Sequence, residues 1–142
     1  MRVAADPGLY DPENPLPTLH GSRCDACGTT FFPPLGIGCE ICGAGAEGLR
    51  AVPLAAAGTL HSLATVYVHA GEDIEAPFTV AEVQLDDGPL IRGLMSEPAT
   101  IDAIGSRVAA QWAELRTDAD GNDVVEPRFR IEDRGDAGGG AA

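Results

Sequence analysis

All four cysteines of the chain fall into two Cys-x-x-Cys pairs, Cys24 with Cys27 and Cys39 with Cys42, separated by one short loop. A tight turn that holds two thiolates on one knuckle supplies half of a tetrahedral metal shell, and a second knuckle completes it. Each pair is followed by glycine, Gly28 and Gly43, which suits a knuckle turn whose amides face the sulfurs and in which one residue needs positive φ. The spacing therefore predicts a Zn2+ site made of Cys24, Cys27, Cys39 and Cys42. Four protein ligands leave no open position for water or substrate, so the metal is expected to organise the fold rather than act as a Lewis acid.

Two other uses of the cysteines fit less well. Disulfides need an oxidising compartment, yet Met1 to Leu9 carry no basic stretch followed by an apolar one, and the expectation is a cytoplasmic chain. A thioredoxin-type redox pair needs a single Cys-x-x-Cys opening a helix, which Pro33, Pro34 and the surrounding glycines disfavour. Rubredoxin-like iron at the same thiolates is the remaining rival.

With 142 residues, the chain holds one ordinary domain plus a metal-stapled lobe. Hydrophobic residues make up 44% but aromatics only 5%, so the bulky core must come from a few segments. No apolar run reaches transmembrane length. The net charge is -13 and there is no lysine, a balance that repels polyanions and sets membranes and nucleic acid aside as expected partners.

Four regions follow one another. Residues 1–19, with Pro7, Pro12, Pro15 and Pro17, read as an extended surface arm. Residues 20–50 form the ribbon, in which Phe31 to Leu35 link the knuckles and need cover. Residues 51–131 carry short strand-like segments, and 132–142, rich in glycine and alanine, read as a flexible tail.

The third region carries the barrel expectation. Gly58 to His69 alternates as a long strand, with Leu60, Ser62, Ala64 and Val66 on one face and Thr59, His61, Leu63 and Thr65 on the other. Phe78 to Leu85 forms a second strand that buries Thr79, Ala81, Val83 and Leu85. Asp86-Asp87-Gly88-Pro89 turns it into Leu90 to Met95. Pro98 to Ile104 reads as a helical turn. Arg107 to Leu115 reads as a strand with a helix as rival, and the turn Asp118 to Asp123 leads into a last strand, Val124 to Ile131. The fold class expected is mainly β: an N-terminal rubredoxin-like zinc ribbon followed by a five-stranded OB-fold barrel.

The order of motifs resembles a known family. Leu19-His20-Gly21-Ser22-Arg23-Cys24, Cys27-Gly28, Phe32-Pro33-Pro34, Cys39-Glu40, Cys42-Gly43 and Gly58-Thr59-Leu60 succeed one another. Pro77-Phe78, Val80-Ala81, Val83, Leu85-Asp86, Gly88-Pro89, then Ile104-Gly105 and Val108 continue the series. From about Leu19 to Ile131 this is similar to the DUF35 proteins, although the two helices that begin many members are replaced here by the proline-rich arm. The resemblance implies a noncatalytic auxiliary subunit in acyl-CoA metabolism. Such a subunit docks on a thiolase-like catalytic partner in a hetero-oligomer, and the partner makes or breaks a carbon-carbon bond next to a coenzyme A thioester. The CoA moiety can pass along the small subunit in such complexes.

No catalytic set is visible in the chain itself. With four thiols on metal none is left to carry an acyl group, and there is no Gly-x-Ser-x-Gly elbow. His20, His61 and His69 read as loop or strand residues. The acidic groups Glu72, Asp73 and Glu75, and Asp118, Asp120 and Asp123, lack a calcium ligand ladder and read as solvated turns. Trp112 suits either a core or an interface. OB barrels also bind single-stranded nucleic acid, for which Tyr67, Phe78 and Arg92 are the residues on offer, but the acidity opposes that alternative.

Overall fold

The computed structural model describes residues 1–68 and 76–132. Nine strands occur among them: β1 (Arg2–Ala4), β2 (Thr18–Cys24), β3 (Thr30–Phe31), β4 (Leu49–Ala55), β5 (Ala57–Val66), β6 (Phe78–Leu85), β7 (Leu90–Leu94), β8 (Arg107–Thr117) and β9 (Asp123–Ile131). They form two sheets, one of six strands in the order β1-β9-β8-β5-β6-β7 and one of three in the order β3-β2-β4. His69, the acidic stretch at 71–75 and the tail beyond Glu132 lie outside the described residues.

The six-stranded sheet curls into an OB-type barrel. β5 pairs antiparallel with β6 and, at its start, with β8, while β7 continues from β6. Closure comes where Met95 bridges Phe129 in parallel and the Ser96 N–H donates to the Phe129 carbonyl at 2.7 Å. The turn expected before the fourth barrel strand is a 3-10 turn at Ile101–Ala103. It ends in reciprocal bonds between Gly105, Ser106 and Leu60, which seal one mouth. Arg107–Thr117 is a strand, not the rival helix, because Val108 and Ala110 alternate inward against Phe129 and Ile131 of β9.

β6 buries Thr79, Ala81, Val83 and Leu85, the set its alternation predicts. β5 departs from its alternation. A bulge between Leu60 and Ser62 pushes His61 outward and reverses the parity, so Leu63 faces Ala81 and packs on the core while Ala64 is exposed. A single inserted residue in a period-two strand flips every later side chain, and the sharper coiling it brings lets a long first strand serve a closed barrel. Gly58 has to lack a side chain, since a Cβ there would collide with the Gln84 carbonyl of β6.

The arm runs over the surface with much of its length exposed, but it is fastened there at particular residues. Arg2–Ala4 precede the first proline and add a parallel strand to β9, Arg2 opposite Asp123 and Ala4 opposite Val125. The reason is geometric: β8 and β9 run on beyond the barrel as a long hairpin whose inner face needs cover. Tyr10, only 6% exposed, supplies it, packing with Trp112 at a centroid distance of 5.8 Å. Burial of the ring pushes the Tyr10 phenol up to about 12.

The ribbon sheet spans the expected divide at residue 50, because β4 pairs with β2 along its length, from Leu49 opposite Cys24 to Ala55 opposite Thr18. Leu19 and Leu54 of this sheet are buried in the barrel core with Leu60, Val83, Val108 and Phe129. Full burial of one such side chain is worth about 2 kcal/mol. The aromatic link divides between the lobes. Phe31 belongs to the small cluster with Cys24 and Cys39, and Phe32 packs on the barrel core. Between β4 and β5 stands one residue, Ala56, whose carbonyl accepts from the Ala110 N–H at 2.8 Å.

Candidate metal centre and the surfaces around it

The two knuckles are built by the backbone before any metal is considered. Gly28 and Gly43 take φ of +79° and +82°, and their N–H groups donate back to the carbonyls of Cys24 and Cys39 at 2.7 and 2.9 Å. Only glycine reaches this conformation without strain. The Cys24 N–H donates to Thr29 and the Cys39 N–H to Ala44, closing each turn, and the Cys42 N–H points at Cys39 Sγ at 3.4 Å. Backbone donors aimed at sulfur stabilise thiolate charge.

The four sulfurs converge. Cys24 and Cys42 lie 3.6 Å apart, Cys27 and Cys39 3.7 Å, and all four lie within 4.8 Å of one another. A tetrahedron with Zn–S bonds of 2.3 Å has edges of about 3.8 Å, so the donor set fits a zinc ion in both chemistry and spacing. Cys24 and Cys39 are buried while Cys27 and Cys42 are exposed, which puts the cluster at the edge of the ribbon. The thiols do not share their protons evenly. Cys27 Sγ and the Thr29 hydroxyl share a hydrogen bond of 3.2 Å, the main reason Cys27 is held down at about 6. At Cys42 a backbone hydrogen bond from Ala44 favours the thiolate, but contact with Cys24, desolvation and the other sulfurs outweigh it and push the thiol up to about 11. A cation entering this set displaces the remaining protons.

The other candidate residues stand apart from the sulfurs. His20 lies on β2, where its N–H donates to Leu9, and it is not among the grouped ligands. His61 is exposed at the bulge. Asp118 folds its own turn, accepting from the N–H groups of Asn122 and Asp120 at 2.8 and 2.9 Å. The Asn122 N–H bond is the main reason its carboxyl sits below the usual range. Of the three residues a nucleic-acid groove would use, Phe78 is in the core and Arg92 lies against Glu82 at 3.5 Å, while Tyr67 is exposed. Glu82 also accepts from the Ser62 hydroxyl at 2.7 Å.

Sequence reasoning missed the surface at the joint of the lobes. A groove of about 440 Å³ runs there past Leu16, Pro17, Ala57, Ala109 and Ile131, with Arg130 at its rim held by Gln111. Its floor is outward-facing alanine, which leaves no pattern in a sequence so rich in that residue. No helix among the described residues is long and apolar enough to cross a membrane.

Comparison with known proteins follows the same division into lobes. The model of the ChsH2 rubredoxin-like zinc ribbon domain matches residues 17–47, and that of the ChsH2 C-terminal OB-fold domain matches residues 51–113. A DUF35 domain-containing scaffold protein of Methanocaldococcus jannaschii is 32% identical over 105 residues, 72% of this chain and 72% of that protein. Among solved structures, a chain of the Ltp2-ChsH2(DUF35) aldolase is 28% identical with a TM-score of 0.60, covering 80% of this chain and 84% of that one. Ribbon, barrel, their order and the scaffold relative agree: the chain belongs to the DUF35 family.

Proposed function

We propose that this chain is the noncatalytic auxiliary subunit of an acyl-CoA-processing complex, acting in the cytoplasm and docked on a thiolase-like catalytic partner. In this reading Cys24, Cys27, Cys39 and Cys42 hold a structural Zn2+ that fixes the ribbon. The partner supplies the nucleophile and bases for making or breaking a carbon-carbon bond beside a CoA thioester. The observation that carries the reading is the likeness, over 80% of this chain, to a chain of the Ltp2-ChsH2(DUF35) aldolase.

The chemistry on this chain supports it. All four thiols point into one cluster, so a separate cysteine nucleophile has to come from elsewhere. His20 and His61 sit on different sheets, on β2 and β5. Several arginines are engaged in surface pairs, such as Arg50 with Asp25 and Arg107 with Asp86, both at 2.7 Å. What the chain offers is a rigid two-lobed body, and binding to it stabilises the partner by mass action.

Co-expression with a candidate thiolase-like partner, co-purification, and a CoA-thioester cleavage assay with each component omitted test this. Activity from the pair alone supports the auxiliary role. Lack of association, together with a shift of single-stranded nucleic acid by the lone chain at moderate salt, would replace it with the binding-module reading.

A further inference from the structure

The second knuckle presents two isoleucines that serve neither core. Ile37 is 94% and Ile41 66% exposed. One exposed apolar residue needs no explanation. Two on a single metal-binding loop are different, because that loop is among the most constrained parts of the chain. Gly38 bridges Gly45 across its base, Cys39 and Ala44 share a hydrogen bond of 2.8 Å, and Gly43 bonds back to Cys39. The isoleucines are β-branched and stiff at χ1. They are held out on a pre-ordered scaffold, the arrangement in which an anchor loses least entropy on binding.

The charge around them indicates what can cover them. Glu40 within the knuckle and Glu47 on the 3-10 turn that follows it are both exposed, and four thiolates around a divalent cation leave a net charge of about -2. The nearby arginines belong to the first knuckle, where Arg50 is occupied by Asp25 and Arg23 lies beside Gly28. The tip is therefore apolar at its points and negative around them. A second copy of the chain would bring acid against acid, and an anionic membrane or nucleic acid would be repelled in the same way.

We infer that Ile37 and Ile41 are the ribbon's anchors on the catalytic partner, and that they enter an apolar pocket of that protein rimmed by lysine or arginine. This rests on the auxiliary-subunit reading and extends it to a surface. The zinc site thereby acquires a second role, as the brace that holds a contact loop in shape.

The test is the affinity of the partner for purified variants, with metal content measured for each. Ile37→Ser combined with Ile41→Ser is expected to keep its zinc and its circular dichroism spectrum while binding about tenfold or more weakly. Glu40→Lys combined with Glu47→Lys is expected to weaken binding and flatten its dependence on salt. Ile101→Ser, an exposed site on the 3-10 turn of the barrel, leaves the affinity unchanged. If both double variants retain metal and bind like the unaltered chain, the surface is assigned wrongly although the auxiliary role stands. If the unaltered chain does not bind the partner at all, both readings fall.

Discussion

The indole Nε1 of Trp112 donates to the carbonyl oxygen of Asn14 at 2.8 Å, joining residues 98 positions apart in the chain. The same ring receives the Arg2 guanidinium at 5.3 Å from its centroid, and Arg2 itself donates to the Pro12 and Asn14 carbonyls at 2.6 and 3.1 Å. The arm is thus fastened to β8 by one aromatic residue that satisfies a backbone acceptor, a cation and a second ring together.

Removing that fastening separates its parts. Trp112→Phe keeps most of the packing and loses the donor, and is expected to cost about 1 kcal/mol. Trp112→Ala also opens the face over Tyr10 and is expected to cost about 3 kcal/mol. Urea denaturation midpoints distinguish the two. Midpoints for both variants equal to that of the unaltered chain would show that the arm is not held here.

Loss of the metal should act locally first. The ribbon's own cluster consists of Cys24, Phe31 and Cys39 with a few partly buried neighbours, too little to hold β2 and β3 without cross-linking. Chelation, or Cys24→Ser, is expected to speed amide exchange at 22–49 while β6 and β8 stay protected. Uniform protection after verified metal loss would refute a structural role for the ion.

Gly58→Ala forces a methyl group into the Gln84 carbonyl, and β5 or β6 must move to admit it. The expected loss is about 3 kcal/mol or more. Gly36→Ala, where no atom lies within 4 Å of the added Cβ, serves as the neutral comparison in thermal melts.

The Arg107 guanidinium grips Asp86 with bonds of 2.7 and 2.8 Å and holds its carboxyl below the ordinary 3.8. A folded-state value below the unfolded one means that the contribution is present above about pH 4 and is lost as pH falls through the depressed value. Both side chains are exposed, so the pair is worth less than about 1 kcal/mol. Asp86→Asn should therefore lower stability slightly at pH 7 and leave it unchanged at pH 2. A larger deficit at pH 2 would contradict the pairing.

What the sequence disclosed depended on how locally each feature is encoded. The knuckles were legible because ligand type, spacing and the following glycine all lie within five residues. β6 was legible because Thr79, Ala81, Val83 and Leu85 are buried by simple alternation. The bulge at His61 was not, since an inserted residue looks like any other until its partner strand is known. β1 was hidden for a related reason: three residues pair in parallel with a strand at the other end of the chain, and no local pattern marks them. Trp112 was ambiguous between core and interface, and it proves to be an interface within one chain.

Ala56, the lone residue between the last strand of one sheet and the first of the other, sets the phase as well as the distance between the lobes. With alternating faces on both sides, an extra residue at this point would be a half-period error that turns the inner face of β5 outward up to its bulge. The ribbon and the barrel are consequently geared together like two toothed racks cut from one bar, and the angle at which the metal-bearing lobe is presented to the rest of an assembly is inherited directly from the pleat.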